Sequence, residues 1–355
     1  MSKIKSINGN FFEDFALGQN LIHGVPRTIT ESDSTLYLAL TGSRFALHCA
    51  STVATNVGFL SIPIDNFLLF HIAFGKTVND ISLNAVANLG YAEVKFHHAT
   101  FAGDTINVSS KVIGLKENSS GKTGVVYVHS KAYNQNKTNI LEWKRWVMVK
   151  KNRSERASHP DSLPDLLDTI KTDGLQLSNA IDFSKWSSAD SDEQTRFNDI
   201  SIGDIFDHRD GMTINDSDHS MATRLYQNNA RVHFDQAVMD KTPAQKRLVY
   251  GGHIISICRS LSYNGLANAV WLSAINGGTH SNPCYAGDTI YSQSKILDKQ
   301  DIQGRKDLGL VRIQLIGTKN TPPESVEQLY KQSDKRKTYH PDVVLDLDYN
   351  VLVIK

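Results

Sequence analysis

The sequence predicts an α+β protein made of two tandem copies of one unit, each a long helix embraced by antiparallel strands, and three observations carry the prediction. Residues 12–48 recur without a gap at 197–233: Phe12, Asp14, Gly18, His23, Thr28, Ser32, Asp33 and His48 return as Phe197, Asp199, Gly203, His208, Thr213, Ser217, Asp218 and His233, all at an offset of 185. A second block, AGDTI at 102–106, returns at 286–290, and Ser110-Lys111 returns as Ser294-Lys295, at an offset of 184. Each copy also holds one long apolar stretch at helical spacing, followed by alternating runs punctuated by turn residues.

In the first copy, Thr28 to Leu40 reads as a helix, because Thr30 and Asp33 stand at capping-box spacing and Leu36, Leu38 and Leu40 follow. Residues 64–79 place Phe67, Leu68, His71, Ile72 and Gly75 at helical spacing and predict the central helix. The runs 91–98, 105–113, 124–133 and 140–149 alternate like strands, with turn residues such as Gly103-Asp104 and Asn134 to Asn136 between them. The second copy repeats the plan with a helix over His253 to Ala269, strands at 289–297, 309–317 and 343–354, and an added polar loop, 318–342. Between the copies, 151–193 is rich in Ser, Asp, Lys and Pro and reads as a linker wrapped over the surface. The expected organisation is therefore a first domain over 1–150, a linker over 151–193 and a second domain over 194–355. A sheet curled around one helix buries it on its concave side, and two such units pair edge to edge. That arrangement is a double hot-dog fold.

Composition narrows the function. The formal charge is +1 and the basic residues are scattered, so no basic face invites nucleic acid or an anionic membrane. No stretch reaches the roughly 18 apolar residues of a membrane helix, and the expected location is the cytoplasm. Cys49, Cys258 and Cys284 are odd in number, widely spaced and without a CxxC pair, and they read as small core residues rather than a zinc site or disulfide framework. The run GLKENSSGKT at 114–123 has six residues between its glycines where a phosphate loop needs four, and reads as a hairpin tip. Oligomeric state is not readable, since a double unit is already a pseudo-dimer and a further homo-oligomer stays open.

Two segments stand out as chemistry: Tyr226-Gln-Asn-Asn-Ala-Arg-Val-His233 and Tyr250-Gly-Gly-His-Ile-Ile-Ser256. The first resembles the hydratase motif Y-x-x-S-G-D-x-N-P-x-H of MaoC-like enoyl-CoA hydratases. Its His falls on His233, its Asp on Asn228, its Asn on Ala230 and its Pro on Arg231, so the version here is divergent. Longer stretches, among them GNFFEDFALGQ (9–19), the run from Phe70 to Phe96, ATRLYQNNARVHF (222–234), YGGHIIS (250–256) and AGDTIY (286–291), resemble the mesaconyl-CoA hydratase family, also described as 2-methylfumaryl-CoA hydratases or β-methylmalyl-CoA dehydratases. The likeness covers nearly the whole chain apart from the linker and 318–342.

The resemblance implies a hydro-lyase that reversibly adds water to mesaconyl-CoA, an acyl-CoA thioester, to give β-methylmalyl-CoA, with no cofactor beyond the CoA of the substrate. It makes His233 the acid/base and gives Gly252, near the start of the second long helix, a backbone N–H for the thioester oxygen. Such a donor suits an enolate-like transition state, and losing one typically costs about 3 kcal/mol. Asn228 can hold a water but cannot take its proton, so either His233 is the sole acid/base or a carboxylate substitutes, from elsewhere in the chain or from the substrate itself. Arg231 is suited to bind the substrate's free carboxylate bidentately, or else is a surface arginine. Tyr226, His253 and His48 complete the candidate substrate contacts, and His71 and His253 stand at the long helices either as CoA contacts or as structural residues. Asp235, two residues past His233, would point to another side. In the first copy Ser43 stands where Asn228 does, Asn66 lies roughly where the oxyanion glycine should be and no Gly-Gly pair is present, so that half is expected to shape the substrate and hold CoA. Alternatives are a general (R)-enoyl-CoA hydratase, a thioesterase on the same oxyanion geometry, and a noncatalytic acyl-CoA binding module.

Overall fold

The computed structural model describes residues 9–152, 161–175, 177–333 and 336–355. The first half comprises β1 (Asn20–Thr28), helix α1 (Glu31–Thr41), central helix α2 (Asn66–Lys76), β2 (Ala85–Phe96), β3 (Thr105–Glu117), β4 (Thr123–Tyr133) and β5 (Asn139–Lys150). The second comprises β6 (Ile205–Asp207), β7 (Met212–Thr213), helix α3 (Asp216–Leu225), central helix α4 (Gly251–Leu261), β8 (Ala269–Thr279), β9 (Thr289–Asp301), β10 (Leu308–Lys319), the short pair β11 (Tyr330–Ser333) and β12 (Arg336–Tyr339), and β13 (Val343–Ile354). Eleven strands form one sheet in the order β1-β3-β4-β5-β2-β8-β13-β10-β9-β6, with β7 also on β9. Read outward from its middle, the order is the same in both directions, which is the repeat expressed as topology. The seam is the antiparallel pairing of β2 with β8, from Tyr91 opposite Gly278 to Lys95 opposite Ala274.

Duplicate residues make duplicate bonds. His23 Nε2 meets Ser110 Oγ at 2.7 Å and His208 Nε2 meets Ser294 Oγ at 2.8 Å. Asp104 accepts from Phe101 N and Asp288 from Tyr285 N at the two matching turns. The capping box of α1 forms as its sequence requires, with Thr30 accepting from Asp33 N and Asp33 from Thr30 N. Both central helices are eleven residues long. All of α2 and nearly all of α4 are buried, because each is covered by its own half of the sheet on one side and by the other half on the other.

Two expectations need correction. The second central helix ends at Leu261 rather than Ala269, since Gly265 adopts a left-handed φ of 91° and Ala269 already opens β8. A continuous apolar run concealed the change from helix to strand. The polar insert 318–342 is not wholly a loop: β11 and β12 pair within it and dock on β13, where Asp346 takes Lys337 Nζ at 2.6 Å and the Tyr339 hydroxyl at 2.9 Å.

The described part of the linker runs over the surface as a strap, mostly exposed and held by a few packed side chains. Ile170, Leu175, Ile181, Phe183 and Trp186 are buried with Val270, Trp271, Leu310 and Leu352 in one cluster, so its few apolar residues are its anchors. Arg305 ties it down, donating to Ile181 O at 2.8 Å and to Asp307 at 2.6 Å, while Asp307 accepts from Phe183 N at 2.9 Å. Removing one member of such a buried pair leaves a charge without its partner, at a cost of about 3–5 kcal/mol. We expect Arg305→Ala to lower the urea midpoint accordingly and to open 161–193 to limited proteolysis; unchanged cleavage there would count against the anchor.

Candidate active site

A cavity of about 480 Å³ opens between the two halves, lined by α2, the start of α4, the first residues of β2, and the segments 228–233 and 280–284. Its entrance is where lining residues reach solvent: Val86, Lys150, Arg231, Val232 and Val238 are all exposed. Its depth is marked by Phe70, His71, Tyr91, Tyr250 and Gly252. Among the described residues the lining contains no carboxylate, and its cationic side chains are Lys150 and Arg231.

His233 ends a short 3-10 turn, Arg231–His233, and its ring packs edge-on to Tyr250 with centroids 5.5 Å apart. Its Nδ1 lies 2.8 Å from Leu248 O. A carbonyl only accepts, so Nδ1 carries the proton and Nε2 keeps a lone pair. Burial pulls the pKa down to about 4, more than the Leu248 hydrogen bond raises it, and the ring is a neutral base at pH 7. Asn228 spends Oδ1 on Ala230 N at 3.0 Å, which shapes the turn and leaves the amide nitrogen as the group it can offer a ligand. The neighbouring acid is engaged elsewhere: Asp235 caps Gln236–Met239 by accepting from Val238 N.

The start of α4 offers backbone donors to the cavity. Asp65 caps α2, accepting from Phe67 N at 2.8 Å. Tyr250, 185 residues on, makes no side-chain cap, so the N–H groups of Gly251 and Gly252 face the cavity without an intrahelical acceptor. Glycine is required at both. A Cβ at Gly252 would strike the rings of Tyr250 and His71, and one at Gly251 would lie 2.5 Å from His280 Cε1. In the first half, the residue matching Gly252 by position along the helix is Phe67 rather than Asn66, whose side chain donates to Leu272 O at 2.7 Å.

Of the residues singled out by sequence, His233, Asn228, Arg231, Gly252 and His71 line the cavity. Tyr226, His253 and His48, expected as substrate contacts, do not. Tyr226 is fully buried behind the wall, with its ring 5.0 Å from His71 and 5.7 Å from Tyr250. His253, third in its helix, is turned into the core, where the nearest charges come from His219 and Asp218 on α3; burial lowers its pKa to about 4. His48 repeats the bond of His233, with Nδ1 2.9 Å from Pro63 O, but its surroundings are filled. Trp271 lies 6.3 Å from its ring and Phe59 stacks on Trp271 at 5.8 Å, under the linker strap. Sequence reasoning missed His280. It reaches Gly251 only through the tertiary path of β8, and the run around it, GGTHSNP, reads as a turn. Burial takes its pKa down to about 4.

The family model for mesaconyl-CoA hydratase matches residues 4–324. The chain is 49% identical over 350 residues to β-methylmalyl-CoA dehydratase of Chloroflexus aurantiacus, covering 98% of each. It is 42% identical to mesaconyl-CoA hydratase of Cereibacter sphaeroides, covering 99% of each. Among solved structures, a MaoC domain protein dehydratase from Chloroflexus aurantiacus superposes with a TM-score of 0.93 at 48% identity over 99% of both chains. A Mycobacterium tuberculosis protein described as a double hotdog fold superposes at 0.75 with 22% identity, which extends the likeness of fold alone. The family match runs through both central helices and both histidine segments, and the chain therefore belongs to the mesaconyl-CoA hydratase family.

Proposed function

We propose that this protein is a hydro-lyase that adds water reversibly across the C=C bond of mesaconyl-CoA to give β-methylmalyl-CoA. The observation that carries the reading is the pairing of one fixed-tautomer base, His233, with one uncapped helix start, Gly251-Gly252, on a cavity with no carboxylate among the described residues that line it. The thioester oxygen binds the Gly252 N–H. The Asn228 amide nitrogen donates to the oxygen of a water, and His233 Nε2 takes a proton from that water as hydroxide adds to the β-carbon. Charge moves to the thioester oxygen as an enolate, and the proton on His233 then passes to the α-carbon. With no carboxylate to share the work, one imidazole performs both transfers. CoA enters as part of the substrate, and each step is assigned to this chain's own groups.

Arg231 and Lys150 at the entrance bring positive charge to a substrate that is anionic at both ends, and we assign Arg231 to a substrate anion. The three cysteines are free thiols, which suits the reducing cytoplasm where this reading places the enzyme. No helix among the described residues is long and apolar enough to cross a membrane. Asparagine at the position of the motif's acid also favours a second reading, a binding module that holds CoA esters without turnover.

Mixing the protein with mesaconyl-CoA and with crotonyl-CoA, while following enoyl-thioester absorbance and product mass, separates the readings. A gain of one water on mesaconyl-CoA is expected. Turnover of crotonyl-CoA alone would make it a general enoyl-CoA hydratase, release of free CoA a thioesterase, and binding without change a module. His233→Ala should lower kcat by about 10²–10⁴-fold, the usual range for an acid/base residue. Asn228→Ala removes one hydrogen bond to the water and should cost about tenfold.

The pH dependence has two signs to separate. His233 must be neutral to act, and with its pKa near 4 the rate per folded molecule should stay level from pH 7 to about 5. Stability should not. His71, His208, His233 and His253 are buried with pKa values lowered to about 3 or 4, so the unfolded chain binds more protons below pH 6.5. Each then contributes a loss of about 1.4 kcal/mol per pH unit as pH falls from 6.5 toward 4. Urea midpoints across that window should drop steeply while early-time rates hold. A rate that falls with an apparent pKa near 6.5 in still-folded protein would contradict the buried base.

A further inference from the structure

His71 belongs to the half whose own histidine site is filled, yet its imidazole lines the open one. It is wholly buried on α2, and its Nε2 lies 3.0 Å from Ser256 Oγ on α4, 185 residues on and therefore its counterpart in the repeat. The other ring nitrogen, Nδ1, has no hydrogen-bond partner. That nitrogen is 2.6 Å from where a Cβ on Gly252 would stand, so it rests against the same backbone that presents the free N–H to the cavity. An unmatched buried polar atom is costly. Here a ligand oxygen seated on Gly252 N–H would supply the missing partner.

The surrounding bonds admit the tautomer that a donor at Nδ1 requires. Tyr37 donates its hydroxyl to Ser256 Oγ at 3.0 Å. With that lone pair taken, the Ser256 proton can be given to His71 Nε2, and in that arrangement the imidazole proton sits on Nδ1. Burial, with His253 and His280 nearby, lowers the pKa of this ring to about 3 and keeps it neutral. A neutral donor matters because His233 becomes a cation when it takes the proton of water, and a second cation in the same cavity would oppose that step.

We propose that His71 is a catalytic residue of this site, donating from Nδ1–H to the thioester oxygen beside the Gly252 N–H as that oxygen gains enolate charge. The proposal rests on the hydratase reading. It makes the first half a contributor to the chemistry as well as a wall of the cavity.

Two substitutions separate the donor from the anchor. His71→Gln keeps a polar group near Nε2, toward Ser256, and places none at Nδ1; His71→Asn places an amide nitrogen near Nδ1 and gives up the Ser256 contact. With mesaconyl-CoA, His71→Gln should lower kcat by about 100-fold or more with KM little changed, as for loss of one oxyanion donor. His71→Asn should recover at least about tenfold of that loss. Infrared spectra of bound methylsuccinyl-CoA, the saturated analogue, carrying ¹³C at the thioester carbon, should show a lowered carbonyl stretch in the wild-type chain and in His71→Asn. In His71→Gln the stretch should return toward its free value. Wild-type kcat in His71→Gln, or a carbonyl stretch identical in wild type and His71→Gln, would overturn the proposal. Nitrogen NMR of the ¹⁵N-histidine-labelled wild type, with the His71 signals identified by their absence from the His71→Asn spectrum, reads the tautomer directly: a neutral Nδ1–H ring at His71 that shifts on adding methylsuccinyl-CoA supports the proposal, and an Nε2–H ring there sinks it. Failure of the wild type to hydrate either enoyl-CoA would instead remove the hydratase reading, while the carbonyl stretch would still report whether His71 polarises a bound thioester.

Discussion

The pairing of β2 with β8 is the constraint on which the rest depends. It makes one sheet of two, from Tyr91 opposite Gly278 to Lys95 opposite Ala274, and so brings two central helices together within a single core. Bonds between the halves follow from it: His71 and Tyr37 of the first half both reach Ser256 of the second. The glycines on β8 are part of the fit, because the Tyr91 ring occupies the space a side chain at Gly278 would need. A seam with a larger residue there would push the halves apart and widen the cavity at its deepest point.

Duplication alone would give two equivalent sites, and three position pairs make them unequal. Asp65 caps its helix where Tyr250 leaves its helix open. Phe67 fills the place that Gly252 vacates. Trp271 stands beside His48 at the position where the open site has the exposed Ala87. The histidine bond that both halves still share, to Pro63 O or Leu248 O, is thus a property of the scaffold; what decides chemistry is whether a ligand can approach the ring and find donors opposite it.

Much of this was legible in the chain itself. The repeat offset announced two units, and alternation located strands β3 to β5 and β9, β10 and β13 because each has one buried face. His233, Asn228, Arg231 and Gly252 could be picked out because their segments are contiguous and resemble a known pattern. The edge strand β1 and the start of β8 were harder: β1 is exposed over most of its length, and β8 is buried on both sides, so neither shows a clean two-residue period. His280 and the insertion of His71 beside Gly252 were beyond sequence reasoning because each depends on a contact between distant segments. The anchors of the linker were hidden for a related reason, since five scattered apolar residues look dispersed in a string and become one surface only when the strap lies across the sheet.

That strap also bears on how the protein can change. The covalent join between the copies has become part of the second half's own packing, covering Trp271 and held by Arg305. A single unit cut free of it would carry an uncovered apolar face. With the surroundings of His48 filled and roofed by the connecting segment, the two copies are not interchangeable, and a substitution accepted in one half has no reason to be accepted at its counterpart in the other.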